Sequence, residues 1–234
     1  MSLPEPQIYT IVRRTWLSRQ PSASAALMIA VVQMTLVLGA SIYWRDGRDG
    51  RDVMAASPAL VFNQHQYYRL WTTLFAHADI GHLLANSLLF VTLGFFLNGY
   101  FGWKVFPVAA LLFGGITNFL ALLTYAPDTT LIGASGMVSW MGGAWLILYF
   151  AINRQKSMGQ RAMRSAGVAL LLFAPSETFD PHISYRTHLI GFVLGLVSGY
   201  LYFERHKTRL RSAEVVEVVR EEDPFNPPLL DGEP

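Results

Sequence analysis

Long uncharged apolar segments alternate with short polar segments along this chain of 234 residues. The six apolar segments occupy about residues 25–43, 80–101, 105–125, 135–152, 165–175 and 185–203. All except the fifth are long enough for a helix to cross the ~30 Å hydrocarbon core of a bilayer. The pattern therefore predicts an all-α polytopic membrane protein, a bundle of six transmembrane helices.

The distribution of basic residues predicts the orientation of these spans. With six spans, one side is flanked by twelve basic residues, namely Arg13, Arg14, Arg19, Lys104, Arg154, Lys156, Arg161, Arg164, Arg205, Lys207, Arg209 and Arg211. By the positive-inside rule that side is cytoplasmic, and both termini lie there. Without the short fifth span, the basic cluster after residue 203 would lie outside. The loop at residues 44–79 departs from the rule, because it carries four arginines on the outer side.

Three regions follow from this topology. Residues 1–24 are a polar, basic cytoplasmic lead-in, and residues 25–203 form the membrane domain. Residues 204–234 form a cytoplasmic tail, in which acidic and apolar residues alternate after Ser212 before a proline-rich end. We expect a short surface helix there, followed by disorder.

Composition agrees with a membrane protein and excludes several other classes. Only 15% of the residues are charged, against ~25% in soluble domains. The net charge of +2 gives no reason to expect nucleic-acid binding. The chain has no cysteine and no HExxH sequence, so we expect no metal and no cofactor. The repeated Arg-Asp-Gly sequence at residues 45–52 is typical of a turn-rich solvated loop rather than a cation site.

Few polar side chains lie within the spans. They are His82, Asn86, Asn98, Asn118, Ser135, Ser139 and His188, with some further hydroxyls. Polar groups in hydrocarbon are costly, so they mark either function or hydrogen bonds between helices. No Asp or Glu lies within a span, which disfavours a transporter or channel.

The spacing of these residues favours catalysis. Ser135 begins span 4, where small residues Gly136, Ser139 and Gly143 share a face. His188 begins span 6, and Gly191, Gly195 and Gly199 share its face. Close packing of the two stripes would place a serine and an imidazole at the same depth. We therefore expect a dyad, with Ser135 as nucleophile and His188 as general base.

An oxyanion site is expected beside this dyad. Free backbone N–H groups at the start of span 4, together with the side chains of His82 and Asn86, could stabilise a tetrahedral intermediate. His82 and Asn86 are four residues apart and so lie on one face of span 2.

At these positions the sequence resembles the rhomboid family of intramembrane serine proteases. The matching motifs are Gly133-Ala-Ser135-Gly136 for GxSG, His77 to His82 to Asn86 for HxxxxHxxxN, and His188 to Gly191 to Gly195 for HxxGxxxG. Tyr68-Arg69 resembles the family's Trp-Arg pair in the first outer loop. The resemblance covers about residues 68–199, and three motifs in register make it specific.

The resemblance implies a six-helix rhomboid-like core in which Ser135 and His188 are catalytic and His82 and Asn86 support the oxyanion. It implies that His77 ties the first loop to span 2, and that residues 173–184 form a lateral gate for substrate. One departure is Ser139, which stands where the family often has an aromatic residue packed on the catalytic imidazole.

Three functions remain open from the sequence. The first is proteolysis of single-span membrane proteins near the outer face of a bacterial plasma (inner) membrane, with the lipid bilayer as the other partner. The second is a catalytically silent relative that binds transmembrane clients, although such relatives usually lack the serine or the histidine. The third is a rhomboid variant that processes C-terminal sorting signals.

Overall fold

The computed structural model describes residues 8–45, 53–173 and 184–220 of the chain, with the side chains of residues 168–173 and 220 left undescribed. Its long helices are α1 (Ser24–Arg45), α2 (Ile80–Phe101), α3 (Ala110–Leu122), α4 (Ser135–Ile152), α5 (Met158–Phe173) and α6 (Tyr185–Arg211). The predicted membrane bundle is confirmed. The 46–52 loop and residues 174–183 of the predicted gate lie outside the described residues.

Within the described residues, five helical segments are long and apolar enough to cross a membrane, and their bounds differ modestly from the prediction. They are α1, α2, α4, α6 and a continuous segment in which a π-helical stretch, Lys104–Ala109, precedes α3. The third span ends at Leu122 rather than near residue 125. Helix α6 continues to Arg211, past the expected end at residue 203.

The two ends of the described chain pair in a small sheet. Strand β1 (Ile8–Arg14) lies antiparallel to strand β2 (Val215–Arg220), with Thr10 opposite Val218. The expected surface helix after Ser212 is therefore wrong for these residues. The run Val215-Val216-Glu217-Val218-Val219 is rich in β-branched side chains, and β1 supplies the backbone partners that the sequence alone did not show. We call this end of the bundle the terminal end.

This pairing also determines the role of α5. The sheet joins the start of α1 to the end of α6, so these two helix ends lie at the same end of the bundle. The head of α6, at Ser184, contacts Tyr125 at the opposite end of the bundle, which we call the site end. Because α5 starts at the terminal end, the chain between Met158 and Ser184 must cross. With 16 residues, or ~24 Å, α5 provides most of that crossing.

The first long loop folds over the site end. Its described part, residues 53–79, contains the short helices Ala59–Asn63, Arg69–Thr72 and Thr73–Phe75. The buried Arg69 side chain donates to the carbonyl of Ala55 (2.7 Å). Asn118 of α3 donates to the carbonyl of Leu70 (2.8 Å), which ties the loop to the bundle.

Helix α4 lies at the centre of the bundle, and the other helices surround it. Met137, Met141, Leu148 and Ile152 of α4 are almost completely buried. Leucines such as Leu84, Leu88 and Leu189 instead lie on the outer surface with more than half of their area exposed. An apolar exterior around an equally apolar core is what a lipid environment requires.

Candidate active site

Ser135 is the first residue of α4 and is held by a tight turn against the first loop. Gly133 adopts a φ of +108°, which disfavours any side chain. Its N–H donates to the carbonyl of Thr73 (3.0 Å). Leu131 exchanges two backbone hydrogen bonds with Ala56 (2.7 and 3.1 Å). The loop at residues 53–79 thus fixes the start of the helix that carries the predicted nucleophile.

His188 lies in the first turn of α6, which is anchored to the end of α3. The hydroxyl of Ser184 caps this helix by accepting from the N–H of Thr187 (3.3 Å). The Tyr125 hydroxyl hydrogen-bonds both Ser184 and Thr187, the latter at 3.0 Å. Arg186 donates to the carbonyl of Thr124 (3.0 Å). We call Tyr125, Ser184 and Thr187 the hydroxyl cluster; it holds the backbone beside His188 in place.

Helices α4 and α6 make the most extensive contact between helices in the described chain. A Cβ added to Gly191 would lie 2.3 Å from the carbonyl oxygen of Gly136, and one added to Gly195 would lie 2.2 Å from that of Trp140. A Cβ on Gly143 would lie 2.2 Å from the carbonyl oxygen of Phe192. The two small-residue stripes therefore meet backbone to backbone, as their spacing predicts.

This crossing brings the predicted catalytic residues to the same place. Gly136 follows Ser135, Thr187 precedes His188, and a Cβ on Gly136 would lie 2.8 Å from the Thr187 methyl carbon. Both Ser135 and His188 are half-buried. Among the hydrogen bonds of the described residues, none joins the Ser135 hydroxyl to the His188 imidazole. The dyad stays a prediction, since catalytic hydrogen bonds often form only with substrate bound.

His82 lies against the turn that carries Ser135. A Cβ on Gly133 would lie 2.8 Å from Cε1 of His82. Asp79 caps α2 by accepting from the His82 N–H (2.8 Å). The side chain of Asn86 donates to the carbonyl of His82 (3.0 Å), one turn earlier in the same helix. His82 is thus the better placed of the two predicted oxyanion groups.

His77 is completely buried beneath this arrangement. Its Nδ1 lies 3.3 Å from the carbonyl oxygen of Phe75, and its ring packs edge-on against His82 at 5.1 Å. Its carbonyl accepts from the indole N–H of Trp44 (2.7 Å). Burial, with a smaller contribution from His82, lowers the pKa of His77 to about 4. A neutral imidazole linking the loop, α1 and α2 fits the expected structural role.

Ser139, at the position where an aromatic residue was expected, and its neighbour Trp140 both have other surroundings than the His188 imidazole. Ser139 is buried, and Trp140 turns away to stack on Phe113 at 5.0 Å and to donate to the Ser198 hydroxyl (2.9 Å). An aromatic ring beside His188 comes instead from Tyr185, edge-on at 6.5 Å. The imidazole therefore has an aromatic neighbour on its own helix.

Sequence reasoning missed the hydroxyl cluster. Ser184 three residues before Thr187, at the head of an apolar run, is a helix-start pattern that could have been found. The contribution of Tyr125 could not, because it comes from the end of another helix. Within the described residues there is no group of three or more His, Cys, Asp or Glu side chains that could hold a metal ion.

Comparison with known proteins assigns the family. The Rhomboid domain model matches residues 64–205. The chain is 26% identical over 169 residues to "Putative rhomboid protease YdcA" of Bacillus subtilis, covering 72% of this chain and 80% of that protein. It is 26% identical over 155 residues to RHOMBOID-like protein 1 of Arabidopsis thaliana, covering 64% of this chain and 38% of that protein.

A third relative carries a different description. The chain is 29% identical over 139 residues to Inactive rhomboid protein 1 of Rattus norvegicus, covering 58% of this chain but 16% of that protein. The match to the plant and rat relatives therefore spans well under half of their length. The family model covers more than half of this chain, and the six-helix bundle accommodates it. This multi-pass membrane protein belongs to the rhomboid family.

Proposed function

We propose that the protein is an intramembrane serine endopeptidase that uses Ser135 and His188. The observation that carries this proposal is the contact between Gly136 and Gly191, which places the nucleophile's helix and the imidazole's helix backbone to backbone at the site end. A relative described as a protease shares most of its length with this chain. Both side chains that acyl transfer requires are present.

The proposed reaction follows from the chemistry of these groups. His188 accepts the hydroxyl proton of Ser135 as the oxygen attacks the substrate's carbonyl carbon, and it then protonates the leaving amine. Free N–H groups in the first turn of α4 stabilise the oxyanion, and His82 donates to it from the other side of the turn. A water molecule then attacks the acyl group while His188 accepts the water's proton. His188 returns this proton to the Ser135 oxygen as the ester bond breaks.

The proposed substrates are transmembrane segments of single-span membrane proteins. The helices present an apolar exterior, so a substrate segment reaches the site end through lipid. Twelve basic residues flank the terminal end in the predicted topology, which favours a cytoplasmic terminal end and an outward site end. We propose cleavage near the outer face of a bacterial plasma membrane.

The test is cleavage of a susceptible transmembrane substrate by purified protein in liposomes. We expect Ser135→Ala to abolish cleavage and to abolish labelling by a fluorophosphonate probe. Ser41→Ala is the matched control, because Ser41 is exposed on α1 and bonds only within its own helix in the described structure (to Val37, 2.8 Å). Cleavage by Ser135→Ala at the wild-type rate would contradict the proposal.

A second function is a client-binding protein without catalysis. Similarity to Inactive rhomboid protein 1 favours it. This candidate predicts that the wild-type protein captures a transmembrane client without product, and that Ser135→Ala captures it equally. Labelling of Ser135 in the wild-type protein by the fluorophosphonate probe would favour the protease over the client-binding protein.

A further inference from the structure

A cavity of about 250 Å³ opens between α4 and α5, away from the predicted catalytic residues. It is lined by Trp145, Leu146, Tyr149, Arg164 and Ser165. Tyr149 lies within one turn of the end of α4 at Ile152, and Arg164 and Ser165 lie two turns into α5. The cavity is therefore near the terminal end of the bundle, where the hydrocarbon of a bilayer meets its headgroups.

Two polar groups at this cavity have unused capacity for hydrogen bonds. The Ser165 hydroxyl has no partner in the described structure, although the residue is only 7% exposed. A buried hydroxyl normally has a partner, so an unpaired hydroxyl on a residue that lines a cavity marks a place where a ligand or ordered water can bind. The Arg164 guanidinium makes one long hydrogen bond, to the Tyr149 hydroxyl (3.4 Å), and forms no ion pair with any described residue.

The charge around the cavity is positive. The chain contains no Asp or Glu from residue 129 to residue 176. Other basic residues nearby already have partners: Arg161 donates to the carbonyl of Phe150 (2.7 Å), and Arg154 pairs with Glu214 (3.4 Å). Arg164 is the charged residue among the five that line the cavity, and it is available to an anionic ligand there.

The remaining walls are apolar and indicate the rest of the ligand. Leu146 and the indole of Trp145 line the cavity, and the indole also stacks on Phe96 at 4.9 Å. A free anion would gain nothing from these walls, whereas an amphiphile would place its acyl chain along them. A cation and two hydroxyls at one side of an apolar groove match the boundary between a lipid phosphate and its chains.

We propose that this cavity binds one anionic phospholipid. Its phosphate accepts hydrogen bonds from Arg164 and from the hydroxyls of Ser165 and Tyr149, and its acyl chain packs along Trp145 and Leu146. A lipid bound in this way bridges α4 and α5, so it stabilises the position of α5 against α4. This binding is independent of whether Ser135 is catalytic.

The test is native mass spectrometry of the purified full-length protein with phosphatidylglycerol and with phosphatidylcholine of the same chains. We expect one phosphatidylglycerol to bind more tightly than phosphatidylcholine. Arg164→Gln and Ser165→Ala should each weaken that binding, Arg164→Gln by about tenfold or more, since it removes a charged hydrogen bond. Arg205→Gln, which removes an exposed charge at the same end of the bundle, is the control and should bind as the wild type does.

Three results would overturn the proposal. The first is equal binding of the two lipids. The second is an equal loss in Arg164→Gln and Arg205→Gln, which would indicate only the general attraction of a basic surface. The third is displacement of phosphatidylglycerol by an equal concentration of inorganic phosphate, which would indicate a simple anion site. The Ser165→Ala variant is expected to fold, because alanine favours the helix and the substitution removes an unpaired hydroxyl. A loss of binding in this variant therefore reports on the cavity and not on misfolding.

Discussion

His188 has no carboxylate partner among the described residues, so neutral groups must orient it. The hydroxyl cluster of Tyr125, Ser184 and Thr187 holds the backbone on one side of the imidazole. Tyr185 contributes a ring on the same helix. The position of this predicted catalytic side chain depends on contacts between the end of α3 and the start of α6, and removal of a single hydroxyl can test them.

We expect Tyr125→Phe to slow substrate cleavage by about tenfold with little change in KM. The phenol bridges Ser184 and Thr187, and loss of a buried hydrogen bond costs about 1 kcal/mol and loosens the geometry of the base. The measurement is kcat and KM, together with the rate of fluorophosphonate labelling. Tyr200→Phe, an exposed tyrosine on α6, should match the wild type. A change in KM alone would contradict a positioning role.

His77 makes stability depend on pH. Its pKa is lowered by burial from 6.5 to about 4, so the unfolded chain binds more protons between these values. Stability is therefore fully present above pH 6.5 and falls as the pH is lowered toward 4, by about 3 kcal/mol for a completely buried imidazole. His77→Gln should flatten the dependence of Tm on pH in this window. His65→Gln, which removes an exposed imidazole, should leave the slope unchanged.

The contact between α4 and α6 is the element on which the site depends. Glycines at positions 136, 143, 191 and 195 allow the two backbones to touch, and no side chain fits between them. Helix α4 is central because it packs against α2, α3, α5 and α6. Any separation of α4 from α6 would move Ser135 away from His188.

We expect Gly191→Ala to abolish cleavage and to lower Tm, because the added methyl would lie 2.3 Å from the carbonyl oxygen of Gly136 and the helices must separate. The control is Gly167→Ala in α5, where no atom of the described part of the chain lies within 4 Å of the added carbon. Helix propensity then favours alanine by about 1 kcal/mol. A Gly191→Ala protein with wild-type Tm would contradict close packing at this position.

The elements predicted from sequence were most accurate where the apolar run was long. The bounds of α2 and α4 agree with the expected 80–101 and 135–152, because Asp79 and the Gly133 turn mark clear helix starts. Helix α5 begins at Met158 rather than near residue 165, since its first two turns are polar and basic. Strand β2 was missed because its partner lies about 200 residues earlier in the chain.

At the scale of the whole molecule, strands β1 and β2 join the two ends of the described chain. Pairing of β1 with β2 requires an even number of crossings. The indole of Trp16 reinforces this closure, since it donates to the carbonyl of Tyr100 (2.9 Å) and lies beneath the guanidinium groups of Arg19 and Arg209, at 4.1 and 4.8 Å. Trp16 thus links Arg19, Arg209 and the end of α2 at the terminal end.

This arrangement predicts opposite accessibility for two single cysteines in a chain that has none. Thr130→Cys, in the exposed turn before α4, should react with a membrane-impermeant maleimide in intact cells. Thr10→Cys, on exposed strand β1, should react only after permeabilisation. The reverse pattern would invert the proposed orientation. Labelling of both from one side would contradict a crossing by each of the three spans between them, α1, α2 and the segment that ends with α3.

The sequence by itself determined the membrane bundle, the positions of the five spans that the described structure contains and the residues that could perform acyl transfer. Apolar length and residue spacing are local properties, so they can be read along one chain. Only the tertiary structure decided which groups meet: the hydroxyl cluster beside His188, the β1–β2 pair, and the cavity in which Arg164 and Ser165 lack saturating partners. Each of these joins residues that are distant along the chain, and their contacts depend on how the helices pack.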